Sequence, residues 1–168
     1  MAWQTLSHTV LQLHAVQETY TPNQDAILKV LSENLSADGQ YFVPNVPPGT
    51  SMDDMAKYQE ASMGKPWAQI NYHKAMDMSM TANILRGLGT NIAIALVLVW
   101  MLGKMKHLSY AAVLMFCLAV GFISFAFHPF PGYIWYKTMG INTELLDSLA
   151  GFGLAGLWLG WFMPRKKA

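Results

Sequence analysis

Cysteine is almost missing from this chain of 168 residues: Cys117 stands alone, which excludes an intrachain disulfide and any cluster of thiolate metal ligands. Charge is scarce too. Charged residues make up 12% of the chain and most lie ahead of Ile84. The formal net charge of +1 offers no basic stripe of the kind nucleic acid requires, so no nucleic-acid partner is expected. Motifs of chemistry are missing as well: no G-x-S-x-G nucleophile elbow, no H-E-x-x-H zinc helix, no P-loop and no C-x-x-C. Asp53, Asp54 and Glu60 read as the solvated face of a helix rather than as an acid–base pair. These absences point to a non-enzymatic protein that needs no cofactor.

What the chain has in quantity is apolar sequence, 53% of the whole. Three runs stand out: Ile84 to Leu102, Leu108 to Phe127 and Leu145 to Met163. Each approaches the roughly 20 residues a helix needs to cross a hydrocarbon core of about 30 Å. The expected fold class is therefore membrane α-helical and multi-pass, with spans at about 84–102, 108–127 and 145–163 inside a region 76–168. The lipid bilayer is its first partner.

Orientation follows from the basic residues. Lys104 and Lys106 in the first hairpin and Arg165, Lys166 and Lys167 at the C-terminus fall on one side; Lys74, Arg86 and Lys137 fall on the other. Positive charge marks the cytoplasmic side, so the C-terminus is expected in the cytoplasm and residues 19–75 outside a cell membrane, the bacterial inner membrane being favoured. Trp100, Tyr110, Trp158 and Trp161 then fall at the inner interface, and Tyr133, Trp135 and Tyr136 at the outer one.

Residues 1–18 contain no signal peptide, for they lack a basic start, an unbroken apolar core and a small-residue cleavage site. Trp3, Leu6, Val10 and Leu13 recur at helical spacing. The expectation is one helix: either the remnant of a first membrane span, a fourth in all, or a helix lying on the membrane surface.

Between lies a polar domain, 19–75. Thr21-Pro22-Asn23-Gln24 suggests a capping box, with Thr21 as N-cap, and Ile27, Val30 and Leu31 continue a helix. Gln40 to Val43 reads as a strand before the Pro47-Pro48-Gly49 turn. Ser51 caps a second helix, whose first turn holds Asp53 and Asp54, and Trp67 to Tyr72 alternates as a second strand. The order predicts a small extracytoplasmic α+β domain whose own core is marginal, so that it rests on the bundle or on a partner. The text from Gly49 to Met55 and from Gly64 to His73 resembles small bacterial membrane proteins of uncharacterised function. That resemblance implies no activity and no site residue.

Three candidate features remain. His73, Met76, Asp77 and Met80 would share one face if residues 73–80 were helical, and thioethers with imidazole suit copper. Arg86 and Asp147 lie about one turn inside their spans at the same expected depth, where a pair would satisfy both charges. Asn142 and Glu144 offer a cap and a dipole-favoured anion at the same helix start. Gly156 and Gly160 form a G-x-x-x-G pattern suited to packing within the bundle or to self-association. The expected function is that of an accessory or scaffold subunit bound to another membrane protein. The alternative is copper handling outside the membrane on the His73, Met76 and Met80 face.

Overall fold

A computed structural model describes residues 2–106 and 108–163. His107 of the first hairpin lies outside the described residues, as do Arg165, Lys166 and Lys167 of the C-terminus, on which part of the expected orientation rests. The chain is mostly helical with one two-stranded sheet: α1 (Ala2–Thr5), α2 (Gln24–Asn34), β1 (Gly39–Val43), α3 (Met52–Ser62), β2 (Ala68–Tyr72), α4 (Met80–Gly103), α5 (Tyr110–Phe127), α6 (Pro129–Tyr136) and α7 (Ile141–Phe162). Three stretches are long and apolar enough to cross a membrane: Met80–Gly103, Tyr110–Tyr136 and Ile141–Phe162. The chain divides into a helical unit, Met1–Tyr20 with Met78–Ala168, and a polar unit, Thr21–Asp77.

In the helical unit, serines start two of the long helices. Ser79 Oγ accepts from Ala82 N (3.3 Å) and Ser109 Oγ from Ala112 N (3.1 Å), each satisfying a backbone donor that has no partner within the helix. α5 and α7 pack closely. A Cβ on Gly156 would fall 2.9 Å from Cys117 Cβ and 3.2 Å from Leu114 Cα, and one on Gly160 3.0 Å from Tyr110 Cδ2. Lipid tails are as apolar as leucine, so helices in a bilayer gain mainly from such close van der Waals approach. The Gly156/Gly160 face, suited by its sequence either to packing within the bundle or to self-association, packs here against α5. Leu102, Val113 and Cys117 form the buried core at one end, with Met105, Leu108, Phe116, Leu159 and Met163 packed around it. α4 joins there through Leu98 and Leu102 and is otherwise exposed along most of its length.

The N-terminal segment is not the single helix expected. α1 passes into a π-helical turn at Leu6–Val10, Gln12 takes φ 49°, and a 3-10 turn follows at Ala15–Gln17. Its apolar stripe faces the bundle only in part: Trp3 lies against α7, but Leu6 is 39% and Val10 69% exposed, whereas Ser7 is fully buried.

In the polar unit, β1 and β2 pair antiparallel with Gly39 opposite Tyr72 and Val43 opposite Ala68. Phe42 and Trp67 meet with ring centroids 5.5 Å apart. α3 begins as its sequence suggests, with Ser51 Oγ accepting from Asp54 N (3.2 Å). α2 does not. Its N-cap is Asn23, without a side-chain cap bond, because Thr21 Oγ1 instead accepts from Asn23 N (3.3 Å) in a local turn.

Candidate functional site

Asp147 is a carboxylate in the second turn of an apolar helix, where burial without partners would be costly. Its partners come from the N-terminal segment. Trp3 Nε1 (3.0 Å) and Ser7 Oγ (2.7 Å) both donate to Oδ1, and His14 Nε2 stands 2.8 Å from Oδ2. The side chains of His14 and Asp147 are only 12% and 15% exposed. The need of Asp147 for donors explains why the segment turns its polar side inward: three donors at one carboxylate outweigh the burial of Leu6 or Val10.

A further layer holds His14. Gln17 Nε2 donates to Glu144 Oε1 (2.8 Å) and to the Met139 carbonyl (3.4 Å), so Gln17 Oε1 is the atom that faces His14 Nδ1, at 3.0 Å. His14 Nδ1 must then carry a hydrogen. A single proton bridges Nε2 and Asp147 Oδ2. His14 lies outside the three apolar helices, and its pKa is raised. Burial pulls it down, but the hydrogen bonds to Gln17 and Asp147 and the charges of Asp147 and Glu144 outweigh that.

Backbone supports the cluster. Leu13 N donates to Ser7 O (3.0 Å), the left-handed Gln12 bends the chain, and the His8 and His14 rings stack at 3.8 Å with planes 11° apart. Thr143 Oγ1 donates to Leu13 O (3.1 Å). Gly140 starts α7 at φ 78°, and a Cβ there would meet Gln17 Nε2 at 2.7 Å, so glycine is required on both counts. Asn142, expected as the cap, lies inside the first turn instead.

Arg86 and Asp147 are not brought together. Arg86 Nη1 lies 3.4 Å from Asn83 Oδ1 on its own helix, and no ion pair between Arg86 and Asp147 occurs among the described residues. α4 is packed mainly at Leu98 and Leu102, more than two turns beyond Arg86, so nothing carries the guanidinium to Asp147. Asn91 Nδ2, 3.4 Å from Gln4 Oε1, is its link to the N-terminal segment.

The helical face expected at residues 73–80 is likewise not formed. Ser79 caps α4, so Met80 is its first residue, while His73 and Met76 precede it in non-helical chain. Met76 and Met80 are 88% and 74% exposed. His73 Nδ1 instead lies 3.7 Å from Asp38 Oδ2. A His73, Met76 and Met80 copper face therefore has no helix to assemble it. His8 and His14, by contrast, have no spacing pattern that sequence alone would single out. The available signal was Asp147 itself, an ionisable residue in an apolar span that demands a partner.

No family model, curated protein or solved structure matches this chain.

Proposed function

We propose that the chain is a non-enzymatic, multi-pass membrane protein that serves as an accessory or scaffold subunit, its polar unit docking on another membrane protein. The observation that carries this reading is the poverty of the polar unit's core. Within Thr21–Asp77 only Tyr72 is buried, while Ile27, Val30, Met52, Tyr58 and Trp67 are all more than 40% exposed. A two-stranded ribbon with two helices and one buried large side chain is marginal by itself, and apolar surface on this scale marks an interaction site. For the apolar flanks of α4, lipid alone is sufficient cover. The polar unit contains no run long and apolar enough to cross a bilayer.

The unit is assigned to the extracytoplasmic face of a bacterial inner membrane, and the C-terminus to the cytoplasm, on the basic residues Lys104 and Lys106 of the α4–α5 hairpin and those of the C-terminus. Single cysteines at Lys57→Cys and Lys106→Cys in a Cys117→Ala background test the sidedness. An impermeant thiol reagent should label the first in intact cells and the second only after lysis; the reverse result overturns the orientation. The docking reading is tested by photo-crosslinking from Ile27, Val30 and Tyr58 in intact cells. One distinct protein adduct, weakened by Trp67→Ala without loss of the chain from the membrane, is expected. Adducts to lipid alone, or to a second copy alone, would refute the partner.

A further inference from the structure

The cluster at the N-terminal end of α7 has the composition and layering of a metal site. His8, His14 and Asp147 each offer one ligand atom, and these atoms all lie within 4.8 Å of one another. We infer that His14 Nε2, Asp147 Oδ2 and His8 bind one borderline divalent cation of the zinc class, which ties the N-terminal segment to α7.

Two imidazoles and a carboxylate match such an ion, which takes nitrogen and oxygen ligands at about 2.0–2.2 Å in tetrahedral geometry. Ligands at about 2.05 Å on a tetrahedral centre stand about 3.3 Å apart. His14 Nε2 and Asp147 Oδ2 now stand 2.8 Å apart, so a separation of roughly 0.5 Å would admit the ion in place of the proton between them. The displaced proton leaves to solvent, and His14 binds as the neutral ring with hydrogen on Nδ1. His8 is exposed, and its ring must turn out of the stack to aim a nitrogen at the ion. Water completes the fourth position.

The surroundings of the ligands favour this reading over a simple ion pair. A metal-bound histidine almost always donates its other N–H to an oxygen acceptor, and a ligating carboxylate is itself hydrogen-bonded. Both conditions are met. His14 Nδ1 faces Gln17 Oε1, with Gln17 held by Glu144, and Asp147 Oδ1 accepts from Trp3 and Ser7 while Oδ2 is left for the ion. The site is distinct from the methionine-rich stretch around Met76, and it does not depend on the polar unit's partner.

The test uses the full chain, purified in mild detergent and stripped with chelator. Titration with Co²⁺ should develop visible absorption that saturates at about one equivalent, and Zn²⁺ should displace it. His8→Ala, exposed and therefore compatible with folding, and His14→Gln, which keeps a polar side chain between Gln17 and Asp147, should each abolish stoichiometric binding. Gln17→Ala should weaken it by about 10–100-fold, the usual effect of losing an outer-shell partner. A joint His73→Ala, Met76→Ala, Met80→Ala variant should bind as the parent does. Absence of saturable binding in the parent overturns the proposal, as does binding that survives His8→Ala and His14→Gln or that is lost in the joint variant. Should His14→Gln fail to fold, the His8→Ala result decides.

Discussion

The two units of this protein use opposite means of stabilisation. In the helical unit, α5 and α7 approach until glycine is the only residue that fits, and Leu102, Val113 and Cys117 are sealed between helix ends. In the polar unit, capping bonds, turns and a short ribbon shape the chain, yet one large side chain alone is buried. The difference teaches where each unit's specificity resides. Helices in lipid need contact at atomic distance because apolar burial gains them nothing further. A polar unit in water can keep its shape by local bonds and leave its apolar surface for a partner.

The sharpest way to break this contrast is to force the glycine seam. Gly156→Leu adds a branched side chain where a single Cβ already meets Cys117 and the Leu114 backbone, so the helices must separate. The expected loss is about 3 kcal/mol or more, at the upper end of overpacking costs. Thermal unfolding in detergent should fall steeply or disappear, and an unchanged transition would mean that the seam is not tight. In the polar unit, Tyr72→Ala should cost about 2–3 kcal/mol, less than the usual price of an aromatic because the site lies at the end of a ribbon. Hydrogen exchange should show Gly39–Val43 and Ala68–Tyr72 losing protection while α5 and α7 keep theirs. Loss of protection in all of them would mean that the two units unfold together.

A smaller effect sharpens the comparison within the helical unit. Asp147→Ala leaves Trp3, Ser7 and His14 without their acceptor, at about 1–3 kcal/mol for an orphaned buried donor. The N-terminal segment should become sensitive to protease in the variant. Arg86→Ala should change stability by less than about 0.5 kcal/mol, and the double variant should be additive, since the two residues share no partner. A coupling between them would restore the ion pair that the structure lacks. A local effect separates the two polar-unit helices: Ser51→Ala should cost α3 about 1 kcal/mol and Thr21→Ala should cost α2 much less, because only Ser51 makes the capping bond. Equal losses in the two variants would contradict the capping geometry.

The apolar helices were legible in the sequence because length and hydropathy are summed along the chain and need no tertiary knowledge. Gln40–Val43 and Trp67–Tyr72 were legible by alternation and by the turn residues around them, and Ser51 as a cap ahead of the first-turn acids Asp53 and Asp54. What failed did so for a common reason. Helical periodicity in residues 1–18 reports the apolar stripe, but the bundle face is set by a carboxylate 140 residues away from Ser7 in the chain, which selects donors. Asp147 was assigned to Arg86 on charge, whereas indole, hydroxyl and imidazole hydrogens satisfy it here. The methionine face fails one step earlier, because Ser79 caps α4 and leaves His73 and Met76 ahead of the helix.

The junction of α5 and α6 at His128 also bears on how this molecule meets a bilayer. α5, with 18 residues, is about 27 Å long, close to a hydrocarbon core of about 30 Å. α6 adds 8 residues, or about 12 Å, so the two together exceed the core by about 9 Å if aligned. The surplus is aromatic: Phe130, Tyr133, Trp135 and Tyr136 line α6, Phe130 rests on Phe125 at 5.6 Å, and Lys137 Nζ stands 5.5 Å from the Tyr133 ring. Such rings prefer the headgroup level. With α5 across the core, the aromatic surplus of α6 would therefore lie at the membrane surface rather than within it.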